Sequence, residues 1–213
     1  MTAGYQPIEI HHELSGDAVH LIRDQLDMQL ADVHAMMRLP IETDPGLGAG
    51  CNLASAQILL SVVSGVSTTL FKRDVLSNRR GRRKLFVDAV KAHYPWDQEF
   101  EASGRRSGAD AAQDLYALFR NPLAHTLGVA DRAEDEEARQ FYIAKAPMAE
   151  RDLVELETTG PSQDRWLAPT LVLNGQRLTL CVRSFYWGVR QMIERVARTP
   201  DACAFSFPSP LES

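Results

Sequence analysis

A repeated spacing of apolar residues, at steps of three and four positions, is the feature that most limits how this chain can fold. It is clearest between residues 15 and 39, at Val19, Ile22, Leu26, Leu30, Val33 and Met37. This spacing aligns apolar side chains along one face of an α-helix. Ser15 is a suitable N-terminal cap, and Pro40 ends the pattern because proline cannot continue a helix. We therefore predict an amphipathic helix from Ser15 to Leu39.

Three further helices are predicted after a connection rich in glycine. They cover residues 52–75, with Asn52 as the cap, residues 82–93 and residues 107–119. The first of them carries small residues, which allow a neighbouring helix from this chain or from a second copy to approach closely. These residues are Ala54, Ala56, Ser61, Ser64, Gly65 and Ser67.

The last third of the chain mixes strand and helix signals. Residues 141–145 are predicted to form a strand, and Asn174-Gly175 is a strong signal for a β-hairpin. A two-residue turn at this dipeptide would pair Leu171 with Leu178. The alternative is an uninterrupted helix from Leu178 to the end of the domain.

These elements predict a mainly α-helical fold, a bundle of four to five helices with a small β-hairpin inserted before the last helix. That last helix begins at about Arg183, and its apolar residues are Trp187, Met192, Ile193 and Val196. A length of 213 residues suits one domain, which we place at residues 1–198. Residues 199–213 contain three prolines and are predicted to form a flexible C-terminal tail.

The cysteines and the apolar segments indicate a cytoplasmic protein. Cys51, Cys181 and Cys203 are far apart and fit neither a disulfide framework nor the spacing of metal ligands. Residues 53–71 are apolar enough to suggest a membrane span, but their many hydroxyl groups favour a buried central helix. Residues 1–13 lack the basic start and apolar run of a signal peptide. We expect no membrane span, no metal and no cofactor.

A basic cluster stands out in a chain whose formal net charge is −5. Residues 72–93 contain eight basic and two acidic residues, a local charge of +6. The densest part of this segment is Arg79, Arg80, Arg82, Arg83 and Lys84. Such a cluster can bind the phosphates of RNA. It can equally be a solvated helix start, or a set of counterions for the acidic residues between 131 and 137.

A second candidate site surrounds Asn121-Pro122. The residue before a proline is disfavoured in the α conformation, and proline is favoured as the first residue of a helix. We therefore predict that one helix ends near Arg120 and that another begins at Pro122, with Asn121 as its cap. His125 would lie one turn inside that helix. Free backbone N–H groups at a helix start favour anions, so Arg120 and His125 there would form a phosphate site.

Residues 119–125, which read Phe-Arg-Asn-Pro-Leu-Ala-His, resemble the signature of HEPN domains (higher eukaryotes and prokaryotes nucleotide-binding). That signature is an arginine, often followed by asparagine, and then a histidine after four to six residues. The resemblance implies a helical bundle over most of residues 15–198. It also implies a metal-independent endoribonuclease of a toxin–antitoxin or other defence system, with Arg120, Asn121 and His125 as the catalytic residues. The implied partners are a second copy in a homodimer, RNA, and a cognate antitoxin protein.

One position departs from part of the family. HEPN toxins that are paired with nucleotidyltransferase antitoxins tend to carry a tyrosine two positions after the histidine, where this chain has Leu127. The chain therefore departs from the pattern of that subgroup at this position.

The residue chemistry is compatible with RNA cleavage through the 2′-hydroxyl. His125 titrates near neutral pH and can act as base or acid, while the guanidinium of Arg120 matches two phosphate oxygens. Asn121 can hold the imidazole. One copy supplies a single histidine from this motif, and two facing copies would supply both an acid and a base.

Other interpretations of the same residues remain open. Arg120 can pair with Asp114 or with an acidic residue between 131 and 137, Asn121 can be a cap only, and His125 can be a half-buried structural histidine. The chain would then be a non-catalytic HEPN-like module for dimerisation or nucleotide binding, or an unrelated helical binding protein. A nucleic-acid binder that uses residues 79–84 is a further possibility.

Overall fold

A computed structural model describes the parts of the chain that carry the fold. The described residues are 5–14, 16–37, 50–70, 79–121, 140–144, 168–175 and 177–198. The predicted flexible tail, residues 199–213, lies outside them, so this tail and the predicted bounds of the domain stay predictions.

The first helix, α1, is continuous but changes its hydrogen-bonding pattern along its length. It is α-helical over Gly16–Leu21, π-helical over Ile22–Asp27 and α-helical again over Met28–Met37. The predicted helix is thus confirmed between residues 16 and 37. Its predicted cap, Ser15, lies outside the described residues.

Four more helices follow along the chain. They are α2 (Gly50–Leu70), α3 (Arg79–His93), α4 (Gly108–Asp114, continued by π-helical Leu115–Arg120) and α5 (Val182–Arg198). The predicted mainly helical fold with a β-hairpin before the last helix is confirmed. Ser107, the first residue of the predicted fourth helix, is the N-terminal cap of α4, because its side-chain oxygen accepts the Asp110 N–H.

Two predicted helix starts are wrong. The second helix has already begun at Gly50, and Asn52 points inward with 8% of its surface exposed, so it does not cap the helix. The third helix begins at Arg79 instead of Arg82. Arginine favours helices about as strongly as leucine does, so the basic run extends the helix.

The centre of the bundle is formed by α2 and α5. Helix α2 packs against α1, α3 and α5, and α5 is buried along most of its length. Each large apolar side chain that is fully buried stabilises the fold by about 1.5–3 kcal/mol. The bulkiest of them are Tyr186, Phe86, Phe119, Phe185, Ile22 and Leu30. The N-terminal segment is joined to this centre, since the His11 N–H donates to the Ala197 carbonyl at 2.9 Å.

One stretch of α2, Cys51–Thr68, is long and apolar enough to cross a membrane if length and composition alone are considered. Half of this stretch, 50%, is buried inside the protein. The buried half agrees with the predicted central helix, and such a helix in the core of a soluble protein has the same composition.

Three strands form a small sheet in the order β1–β3–β2. They are β1 (Gln140–Ala144), β2 (Leu171–Asn174) and β3 (Arg177–Cys181). The predicted strand at 141–145 is confirmed for residues 141–144. Strand β1 runs parallel to β3, and β2 with β3 forms the antiparallel hairpin. The alternative of an uninterrupted helix from Leu178 is therefore wrong.

The predicted hairpin register is also wrong. Leu171 pairs with Leu180 instead of Leu178, and Leu178 pairs with Leu173. The turn falls one residue later than predicted, with Gly175 at a positive φ of 58°. Glycine adopts this conformation without steric cost at the first central position of a tight turn. The observed register places four leucines opposite one another on one face, which the predicted register would not do.

Helices α3 and α4 pack antiparallel. Near the end of α3, the ring of Trp96 lies over the start of α4, where a Cβ on Gly108 would be 2.8 Å from Cδ1 of the indole. Near the other end of the pair, the ring centroids of Phe86 and Tyr116 are 5.4 Å apart. The beginning of α3 and the end of α4 therefore meet at the same end of the bundle.

Candidate functional site

The antiparallel packing brings Arg120 to the level of the basic cluster. Phe86 of α3 faces Tyr116 of α4, with the rings edge to face. Helix α3 rises about 1.5 Å per residue, so four residues back from Phe86 is a step of roughly 6 Å along it. Four residues onward from Tyr116, along the π-helical stretch of α4, is a step toward the same end of the bundle. These steps reach Arg120 and Arg82.

The helical conformation extends through Asn121, so its predicted function as the cap of a new helix is wrong, while the predicted helix start at Pro122 lies outside the described residues. Asn121 has φ −68° and ψ −49°, which are α-helical values, and its N–H donates to the Tyr116 carbonyl in the π-helical pattern. A proline after Asn121 disfavours this conformation. Leu115 and Phe119 in the same stretch are fully buried, and their packing holds the segment helical. The predicted cap function of Asn121 fails for this reason, and its side chain is exposed.

The guanidinium of Arg120 contacts two other side chains. Its Nε–H donates to Ser64 Oγ of α2 at 3.3 Å, and its Cζ lies 5.6 Å from the centroid of the Tyr116 ring. The predicted alternative pairing with Asp114 does not occur; Asp114 instead accepts from Arg106 Nε at 2.8 Å. The Arg120 side chain is half-buried.

The basic cluster occupies the first turns of α3. Arg82, Arg83 and Lys84 are exposed, while the side chains of Arg79 and Arg80 lie outside the described part of the chain. The first turn contains no acidic residue. Positive side chains at a helix start are unfavourable, because the helix dipole and the free N–H groups there are also positive. A bound anion would relieve this repulsion.

His125, the third predicted catalytic residue, lies outside the described residues, and so do residues 131–137. Within the described ranges, no three His, Cys, Asp or Glu side chains are grouped as metal ligands. Sequence reasoning missed both neighbours of Arg120. Tyr116 was detectable, since residues four apart on a helix are neighbours. Ser64 is 56 residues away along the chain, and no local pattern indicates the contact.

A second polar cluster lies at the opposite end of the α3–α4 pair. The carboxylate of Glu99, with 2% of the residue exposed, accepts the Thr170 N–H at 3.0 Å. Burial raises the pKa of Glu99 to about 7, against the opposing effect of the Thr170 hydrogen bonds and the Arg105 charge. The hydroxyl of Tyr94 bonds to the Thr170 hydroxyl and to the Ser184 carbonyl. Burial also raises the pKa of Tyr94. This cluster joins the α3–α4 connection to the start of β2.

No family model, no curated protein and no solved structure matches this chain.

Proposed function

We propose that this protein is a metal-independent endoribonuclease of the HEPN type, which binds RNA at the end of the bundle formed by α3 and α4. The observation that supports the proposal is the shared level of Arg120 and the exposed basic side chains of α3. A phosphodiester chain presents one negative charge per nucleotide, so several cations on one surface can track its backbone. In this proposal, Arg79, Arg80, Arg82, Arg83 and Lys84 bind the RNA backbone.

The proposed reaction is attack of the RNA 2′-oxygen on the adjacent phosphorus. A base removes the 2′-hydroxyl proton, the bond from phosphorus to the 5′-oxygen breaks, and an acid protonates that oxygen. A 2′,3′-cyclic phosphate remains. His125 exchanges the proton, and Arg120 stabilises the charge on the equatorial oxygens, since its planar guanidinium is always protonated. Asn121 orients the imidazole.

Two copies would complete this chemistry. One His125 cannot be base and acid in the same step, whereas two motifs across a two-fold axis supply one of each. We therefore propose a homodimer that acts in the cytoplasm as a toxin or defence nuclease, held inactive by a cognate antitoxin protein.

The proposal is tested with purified protein and a single-stranded RNA in EDTA. We expect cleavage products that end in a cyclic phosphate, and loss of cleavage in the variant His125→Ala. The matched control is His12→Ala, because the side chain of His12 is 83% exposed and its loss should change nothing. Cleavage by His125→Ala at the wild-type rate would contradict the proposal.

A non-catalytic dimeric module is the second candidate. It is favoured by the exposed residues of α2, where the large apolar side chain of Leu53 is 37% exposed and Ser61 is exposed as well. This candidate predicts no cleavage under any condition. It also predicts that Ser61→Trp on the exposed face dissociates the dimer while the monomer stays folded, as measured by analytical ultracentrifugation and circular dichroism. A Ser61→Trp variant that stays dimeric would exclude this face as the interface.

A further inference from the structure

We infer that Ser64 is a positioning residue, whose hydroxyl sets the orientation of the Arg120 guanidinium for a phosphate group of RNA. This inference rests on the proposed function, because Arg120 is the group that would contact the phosphate. The residue acts from α2, a different helix from the one that carries the arginine.

The hydrogen bonds of Ser64 fix the direction of its hydroxyl. The single hydroxyl proton is donated to the Leu60 carbonyl one turn earlier, at 2.8 Å. A serine hydroxyl has one proton and two lone pairs. With the proton directed to the backbone, the lone pairs are available to Arg120 Nε, which lies 3.3 Å away.

The helix behind Ser64 is rigidly held. Leu60, Val62, Val63 and Val66 are each at most 2% exposed and belong to the common core. Close-packed interiors resist displacement, so the oxygen of Ser64 has a defined place relative to the core.

The Tyr116 ring defines the other side of the guanidinium. The distance of 5.6 Å from Arg120 Cζ to the ring centroid is within the range of a cation–π contact, about 6 Å. The ring itself packs edge to face on Phe86, which is 1% exposed. The guanidinium is thus located by one contact from α2 and one from its own helix.

These two contacts predict how a phosphate is bound. A guanidinium can bind two oxygens through Nε and one Nη, or through both Nη groups. Because Ser64 uses the Nε–H, the pair of Nη groups is the edge that would face the phosphate. Without the Ser64 hydroxyl, Arg120 Nε loses this acceptor. The guanidinium can then rotate between the two ways of binding a phosphate.

The test compares three variants. Ser64→Ala removes the hydroxyl, and Ser64→Thr keeps it. Ser61→Ala is the matched control, because Ser61 makes the same bond to the backbone one turn earlier, to the Gln57 carbonyl at 2.8 Å, and is exposed on the same helix. Unfolding in urea verifies that all variants are folded.

Two measurements are made on each variant. The first is RNA cleavage as a function of RNA concentration, where Ser64→Ala should lower kcat about fivefold to tenfold, the effect of one lost hydrogen bond, with little change in KM. The second is hydrogen exchange of the Arg120 Nε–H by nuclear magnetic resonance, with the signal assigned through Arg120→Lys. We expect exchange to be several times faster in Ser64→Ala, with wild-type behaviour in Ser64→Thr and Ser61→Ala.

The outcomes separate this inference from the proposed function. If the wild type cleaves RNA and Ser64→Ala matches Ser61→Ala in kcat, the inference is overturned and the nuclease proposal stands. If the wild type cleaves no RNA, the nuclease proposal fails. In that case, unchanged Nε–H exchange in Ser64→Ala overturns the inference as well, while faster exchange supports the contact with Arg120.

Discussion

Two stretches of the protein are π-helical, Ile22–Asp27 in α1 and Leu115–Arg120 in α4. They differ in the contacts that their last residue makes. Each stretch ends on a charged residue. Asp27 is 9% exposed, and its carboxylate accepts the Tyr5 hydroxyl and the Ile8 N–H. Arg120 is half-buried and meets a neutral hydroxyl and a ring within the described parts of the chain.

This difference separates a structural charge from a candidate functional one. The Asp27 carboxylate ties the N-terminal segment to α1, and Arg190 of α5 binds the same segment through the Gln6 carbonyl at 2.7 Å. The Ser64 hydroxyl and the Tyr116 ring orient Arg120 without neutralising its charge. A cation kept in place but unneutralised by these neighbours is suited to bind an anion from outside.

The largest expected effect is that of Arg120→Ala on RNA cleavage. Removal of one preorganised donor to a developing negative charge lowers kcat by about a hundredfold to a thousandfold. The free energy of unfolding should change by less than about 1 kcal/mol, because a half-buried side chain with one neutral hydrogen bond is removed. Both quantities are measured by RNA cleavage and urea unfolding. A loss of stability without a loss of cleavage would show that Arg120 serves the fold, as Asp27 does.

Raising the pH should lower the free energy of unfolding, because it ionises the buried carboxyl of Glu99 at the opposite end of the α3–α4 pair. Its pKa is raised from 4.5 to about 7 in the folded protein, so the folded state binds the proton more tightly than the unfolded chain. Stability from this group is therefore present below pH 4.5 and is lost as the pH rises toward 7 and above. The shift corresponds to about 3 kcal/mol.

Urea unfolding at pH 5 and pH 8 tests this dependence. Glu99→Gln keeps an oxygen acceptor for the Thr170 N–H and should lose most of the decrease in stability between the two pH values. Glu101→Gln, an exposed change two positions away, should behave as the wild type. If the decrease is the same in Glu99→Gln and in the wild type, the buried carboxyl is not its source.

For Asp27→Ala we expect the opposite of Arg120→Ala, namely a loss of stability without a loss of RNA cleavage. It leaves the Tyr5 hydroxyl and the Ile8 N–H without their acceptor, which should lower the free energy of unfolding by about 2 kcal/mol. RNA cleavage per folded molecule should stay at the wild-type level. A catalytic defect in this variant at a temperature where it is fully folded would contradict the structural interpretation of Asp27.

The smallest expected effect is on the salt dependence of RNA binding. Lys84→Ala removes one exposed cation, so the slope of log affinity against log salt should fall by about 0.7 for single-stranded RNA. Arg198→Ala at the exposed end of α5 is the control and should leave the slope unchanged. The binding is measured with 2′-O-methyl RNA, which cannot be cleaved through the 2′-oxygen.

The sequence predicted the features that depend on local spacing. The apolar steps from Val19 to Met37 gave the first helix, and Asn174-Gly175 gave the hairpin. The turn fell one residue later because pairing Leu173 with Leu178 decided the register, and that is a contact between strands. The parallel pairing of β1 with β3 depends on residues far apart along the chain, and no periodicity reveals it.

In the candidate site, too, contacts between distant segments could not be predicted from local sequence patterns. The proline rule at Asn121 is local, and it was overcome by the burial of Leu115 and Phe119 against other helices. That Arg120 lies at the level of Arg82 follows from the antiparallel packing of α3 and α4. Neither segment taken alone shows how the two helices pack. His125 stays a prediction from the resemblance to HEPN domains.

The position of the last elements affects how the protein forms during translation. Strand β3 lies between β1 and β2, and α5 fills the centre of the bundle and holds the N-terminal segment through Ala197 and Arg190. Helices α1 to α4 are synthesised first, yet their shared core is completed only by residues 182–198. A ribosome must therefore release residues 182–198 before this core can close, so a nascent chain stalled earlier would hold its basic helix start and Arg120 on an unfinished core.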